Sequence, residues 1–189
     1  MRVVLVAAML LVGSMSFPHA AAPERSAATL FERGQQGGIV LPVMLNGRGP
    51  FRFLLDTGST HTAVSAVTAA DVGAPVVAKA SMGSVAGSRE RLVVRIDAVE
   101  FGAIRVGELL ASVVDLDGIV DTHGIDGVIG LDVLAPLRYT IDFRQRRIVW
   151  WPTDALVARG RPLELQSRHG RFLIALPQGR ALVRLVPDT

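Results

Sequence analysis

The segment Phe53-Leu54-Leu55-Asp56-Thr57-Gly58-Ser59-Thr60 puts one carboxylate at the end of an apolar run and follows it at once with a Thr-Gly turn and two hydroxyls. A run as apolar as Phe53 to Leu55 reads as a buried strand, and a carboxylate emerging from one is costly unless nearby donors satisfy it. Thr57, Ser59, Thr60 and the backbone N–H groups of a glycine turn are such donors. The pattern predicts an acid held for chemistry, although a purely structural Asx-turn carboxylate has the same local signature. A single carboxylate does not readily attack an amide. Two facing carboxylates sharing one proton can: one acts as base toward a water while the other, protonated, polarises the carbonyl. Such a pair titrates as a unit, so Asp56 needs a second Asp from somewhere.

Other candidate groups carry less. His61 adjoins the motif only in sequence and no Gly-x-Ser-x-Gly elbow exists, so Ser59 and Thr60 read as turn hydroxyls rather than nucleophiles. His61 and His123 read as surface or satisfied histidines. Asp115, Asp117, Asp121 and Asp126 are acidic and turn-like but lack EF-hand spacing, and they read as a solvated loop. With no zinc His-Glu-x-x-His, no phosphate-binding Gly-Lys element and no dinucleotide fingerprint, neither metal nor cofactor is expected.

The elements that must position Asp56 read as all-β, short apolar segments divided by Gly, Pro and Asn. Strands are expected over Ile39 to Leu45 and Phe51 to Asp56, joined through Asn46-Gly47-Arg48-Gly49, a strong hairpin signal. His61 to Ser65 reads as a short strand and Ala66 to Asp71 as a helical turn closed by Gly73 and Pro75. Val76 to Ser81 and Arg89 to Val99 flank a small-residue tip, Met82 to Ser88. Ile104 to Val106 and Leu109 to Val114 continue the sheet. Leu131 to Leu137 suits a short helix stopped near Pro136, and Tyr139 to Phe143 with Arg147 to Trp151 a closing hairpin.

Sliding the sequence against itself by 132 positions sets Gly38 to Thr57 beside Gly170 to Thr189. The identical pairs include Gly38 with Gly170, Gly47 with Gly179, Arg48 with Arg180, Arg52 with Arg184, Asp56 with Asp188 and Thr57 with Thr189, which reads as an internal repeat. The second copy departs at Pro177 and Pro187 and reaches no glycine after Asp188-Thr189.

Composition sets the frame. The chain has 189 residues, 50% of them hydrophobic, enough for one domain with a real core. Met1-Arg2, the apolar Val3 to Val12 and the small residues Ala20-Ala21-Ala22 read as a signal peptide over residues 1–22, or as an N-terminal anchor; ten apolar residues are too short for a stable membrane span. A polar linker is expected over 23–36. Export to the periplasm or beyond follows, and the absence of cysteine excludes a disulfide scaffold. The net charge of +3 is carried by scattered arginines, with Lys79 the one lysine. Their densest group, Arg144, Arg146 and Arg147, reads as a solvated hairpin turn, so nucleic-acid binding is not expected.

Leu54 to Thr60 resembles the active-site motif of retropepsin-like and pepsin-like aspartic peptidases. Gly127-Val128-Ile129-Gly130, followed by Leu131 to Leu137, resembles the apolar-apolar-Gly element that in this family crosses behind the catalytic loop. The resemblance covers residues 37–151 and implies a single-lobe closed barrel with one short helix, pairing as a dimer. It implies that Asp56 is the catalytic carboxylate, that Thr57 ties two catalytic loops together, that Gly58 permits the turn and that Ser59 hydrogen-bonds the carboxylate. Ile129 and Gly130 are then support, and Gly83, Ser84, Val85, Ala86 and Gly87 form a flap over an extended peptide. Leu131 stands where viral members usually carry Arg, so the viral style of dimer salt bridge is not expected.

The expected activity is that of an aspartic endopeptidase whose two carboxylates come from the two chains of a homodimer. Two alternatives remain open at this level. One is an inactive single lobe of a truncated two-lobe protease, with residues 152–189 as the start of the second lobe. The other is a non-catalytic periplasmic module that binds extended peptides.

Overall fold

The computed structural model describes residues 20–34, 37–84, 87–116, 124–154, 165–168, 171–178 and 181–185. In chain order its strands begin with β1 (Ala20–Ala21), β2 (Ala27–Leu30), β3 (Glu32–Arg33), β4 (Ile39–Leu45), β5 (Arg48–Leu55) and β6 (Ala63–Ser65). After helix α1 (Ala66–Asp71) come β7 (Val76–Ser84), β8 (Gly87–Ile96), β9 (Val99–Phe101), β10 (Ile104–Val106), β11 (Leu109–Val114) and β12 (Gly127–Ile129). Helix α2 (Leu131–Leu134) is followed by β13 (Arg138–Asp142), β14 (Arg147–Trp151), β15 (Leu165–Arg168), β16 (Arg171–Gln178) and β17 (Ala181–Leu185).

Local chemistry accounts for the β4–β5 hairpin. Asn46 and Gly47 both take positive φ, 49° and 75°, the pairing a tight two-residue hairpin turn requires. The Asn46 side chain then accepts from the amides of Asp97 and Ala98, both at 3.0 Å, which ties the turn to the β8–β9 corner. Along β4, Ile39, Leu41, Val43 and Leu45 point into the main core while Val40 faces a second, smaller cluster with Ala63, Leu116, Ile125 and Val128. The first face is buried along its whole length, whereas on the second only Val40 is buried, with Pro42 exposed and Met44 half-buried.

Eleven strands form the main sheet, in the order β1-β10-β9-β4-β5-β12-β6-β11-β8-β7 with β3 also on β4. The expected closed barrel is corrected: the sheet curls into a half-barrel whose path ends at β1 and β7 without pairing them. The single expected helix becomes two. Ser65 caps α1 by accepting from the Thr68 amide at 3.1 Å. Helix α2 stops at Leu134, short of the expected Leu137, because Pro136 cannot continue it.

Residues 23–36 are not a bare linker. Strand β2 pairs with β14, and β13-β14-β2 forms a second sheet. Thr29 and Phe31 point inward, whereas Ala28 and Leu30 face out. The Trp150 Nε1–H donates to Thr29 Oγ1 at 2.9 Å, and the indole packs edge-on against Phe101. Ala20–Ala21, inside the segment read as a leader, pairs with Val106 and Arg105. Arg144 and Arg146 lie exposed in the β13–β14 turn, as expected, with Arg146 at φ 50°.

Strands β15, β16 and β17 form a sheet of their own. The β16–β17 hairpin occupies the repeated sequence, but its register differs from that of β4–β5. Leu45 faces Arg48 across the first turn, and the matching residues would be Pro177 and Arg180. Gln178 instead faces Ala181, so the second pairing is offset by one position.

Candidate active site

The order of three strands creates the site. Strand β12 lies between β5 and β6, parallel to the first and antiparallel to the second. The chain joining β5 to β6, residues 56–62, must therefore arch across the C-terminal end of β12. Backbone bonds fasten it there: the Asp56 amide donates to the Ile129 carbonyl at 3.0 Å, and the Leu131 amide donates to the Ser59 carbonyl at 2.9 Å.

Asp56 follows the fully buried Leu55 directly. Its Oδ1 accepts from the Gly58 amide at 2.7 Å and from the Ser59 amide at 3.1 Å, so the turn's own backbone orients the carboxylate. The hydrogen bond expected from Ser59 is present, but through its N–H. The Ser59 hydroxyl instead donates to the His61 carbonyl at 2.8 Å. Thr60 Oγ1 and His61 Nδ1 are 2.8 Å apart on the exposed side of the loop.

Gly130 passes beneath this loop with no room for a side chain. A Cβ there would sit 2.6 Å from the His61 carbonyl carbon and 2.8 Å from its oxygen, too close for any rearrangement short of moving the backbone. The structure thus brings Asp56, Thr57, Gly58 and Ser59 onto Ile129 and Gly130, elements more than sixty positions apart in sequence. The expected flap residues fall in a different element. Gly83, Ser84 and Gly87 belong to the β7–β8 hairpin, in which Ser84 faces Gly87, while Val85 and Ala86 lie outside the described residues.

Two polar residues that the sequence reading passed over complete the loop's support. Thr62 is almost fully buried. Its amide donates to Asp132 Oδ2 and its hydroxyl to Asp132 Oδ1, both at 2.8 Å. The same hydroxyl accepts from the Gly130 amide at 3.2 Å, and the Thr62 carbonyl accepts from the Ser112 amide at 3.1 Å. Asp132 Oδ1 also accepts from the Val133 amide at 3.0 Å. Burial pushes the Asp132 carboxyl above the usual aspartate range; the Thr62 donors, the neighbouring His61 charge and the Val133 amide offset this only in part. The available signal was an acid at the start of an otherwise apolar helical segment.

Residues 41–133 match the family model described as "Aspartyl protease". The match runs from β4 into α2 and so contains Asp56, the crossing strand β12 and Asp132. This segment is an aspartyl protease domain of the pepsin- and retropepsin-like kind, and a general aspartic protease function goes with that family. No curated protein matches the chain. Among the described residues, no helix is long and apolar enough to cross a membrane.

Proposed function

We propose that the protein is an aspartic endopeptidase in which Asp56 supplies one of two catalytic carboxylates and the second comes from Asp56 of another copy. The observation that carries this reading is the seat of Asp56: the end of a buried strand, with two backbone amides on one carboxylate oxygen and β12 fixed behind it. Donors placed in that way hold the carboxylate in a fixed orientation, as a group that takes a proton from water must be held. A facing, protonated partner would polarise the scissile carbonyl and later protonate the leaving amine.

A two-fold arrangement needs only residues this chain already has, with Thr57 tying the two loops. An extended peptide would lie between the loops and the β7–β8 hairpins, its backbone pairing with strand edges. Export to the periplasm or cell exterior belongs to the same proposal, on the strength of the apolar N-terminal sequence.

The test is a peptide-library digest by the parent and by Asp56→Asn, with sedimentation of both. A folded, dimeric Asp56→Asn that no longer cleaves supports the assignment. Parent-level cleavage by Asp56→Asn, or full activity from a strict monomer, would overturn it.

A further inference from the structure

The segment 129–132 holds the loop 56–62 at three points. Ile129 holds Asp56, Leu131 holds Ser59, and Asp132 holds Thr62. The first two attachments are backbone bonds that almost any sequence could make. The third depends on a side chain, and on a costly one: a carboxylate in a site that raises its pKa. A purely structural cap at this position could be neutral.

The chemistry of the three donors explains why an acid stands here. Thr62 N–H, Thr62 Oγ–H and Val133 N–H all point at Asp132, and an ionised carboxylate is an acceptor only, with room for all three. Asparagine would turn an NH2 toward one of these donors. Because Thr62 Oγ1 gives its proton to Asp132, its lone pairs are left for the Gly130 amide. Acid, hydroxyl and glycine amide therefore form one directed chain running back to the strand that carries the Asp56 loop.

We infer that Asp132 is a positioning residue for catalysis: acting through Thr62 and Gly130, it fixes the far end of the loop that holds Asp56 without touching substrate. This rests on the assignment of Asp56 proposed above. Displacing a catalytic group by an ångström from a distance is enough to cost about 10²-fold in rate. Removal of the Asp132 carboxylate is accordingly expected to lower kcat by about 10- to 100-fold and to leave KM within about twofold, since no contact with the peptide is lost.

The experiment compares full-length Asp132→Ala, Asp132→Asn, Thr62→Val and Thr62→Ser proteins with the parent. It reads kcat and KM for a cleaved peptide, and amide hydrogen exchange at Gly58 and Ser59, whose N–H groups hold Asp56. The expected results are faster exchange at both amides in Asp132→Ala and Thr62→Val, and a fall in kcat that is not multiplicative when the two are combined. Thr62→Ser, which keeps the hydroxyl, should recover most of what Thr62→Val loses. If Asp132→Ala does not fold, Asp132→Asn is read in the same way.

Unchanged exchange at Gly58 and Ser59 in the folded variant overturns the inference, whatever the peptide assay gives. A kcat loss that only tracks the fraction of unfolded protein overturns it as well. The exchange readout needs no cleavage, so it stands apart from failure of the Asp56 assignment, whose mark is an Asp56→Asn protein that cleaves like the parent.

Discussion

The Gly130 α-carbon faces the backbone of His61 so closely that a single added carbon would lie 2.6 Å from the His61 carbonyl carbon. Gly130 is followed by the Leu131 amide that binds Ser59, so this contact sets the height of the loop above β12. Gly130→Ala should therefore destabilise the fold by about 1–3 kcal/mol, the range of overpacking in a tight interior. Urea unfolding measures it. The displacement should also reach Asp56, so the variant's folded fraction should cleave more slowly than the parent. A neutral Gly130→Ala would mean the loop can rise without cost.

The Asp132 carboxyl has its pKa raised by burial from the ordinary 3.8, which fixes the sign of a pH effect. Between 3.8 and the raised value the folded chain binds a proton that the unfolded chain has already released. The stability contributed by this group is therefore fullest below 3.8 and is lost as the pH rises through the folded pKa. Asp132→Asn cannot titrate, so the stability of the parent minus that of the variant should fall over this interval and then level off. Denaturant titrations at a series of pH values read the difference directly. A difference that grows with pH would mean that hydrogen bonding, not burial, dominates at Asp132.

Thr29 and Trp150 provide a third test, because their bond crosses from the segment expected to be a linker into the core. Thr29→Val keeps the shape but leaves a buried indole N–H without its acceptor, a loss of about 1–3 kcal/mol. Restoring an acceptor with Thr29→Ser should return most of it. Thermal unfolding of both variants checks the pair. A linker role would make both substitutions silent.

These residues also show what the sequence could and could not disclose. The Asn46-Gly47 turn, β4 and the apolar end of β5, Phe53 to Leu55, were legible because their signals are local: two positive-φ positions and short apolar runs. The Asp56 motif and the Val128 to Gly130 element were legible as a pair because each has a distinct short pattern. Strand β2 was hidden because Ala27, Thr29 and Phe31 alternate with Ala28 and Leu30, a pattern too weak in contrast to read as half-buried. The Thr62–Asp132 bond joins residues seventy positions apart, and no periodicity announces such a pair. Barrel closure failed as an expectation because it depends on which strands meet at the sheet's ends, and those are set by β1 and β7 rather than by the motif.

The proposed pairing of two Asp56 carboxylates makes a prediction about concentration and mixing that no single-chain enzyme shares. If both acids must meet, activity requires the dimer, and below its dissociation constant the rate should rise with the square of total chain concentration rather than in proportion to it. A folded Asp56→Asn chain would still present Thr57, Gly58 and the supporting strand, so it should pair with the parent and leave the mixed dimer one carboxylate short. With a ninefold excess of Asp56→Asn, statistical pairing leaves about one parent chain in ten with a parent partner, and the rate per parent chain should drop about tenfold. The assay is a fluorogenic peptide digest at fixed parent concentration with increasing variant, both proteins mixed above the dissociation constant and left to exchange. A rate unaffected by the variant, combined with strictly linear dependence on parent concentration, would assign catalysis to one chain and require the second acid to be sought within it.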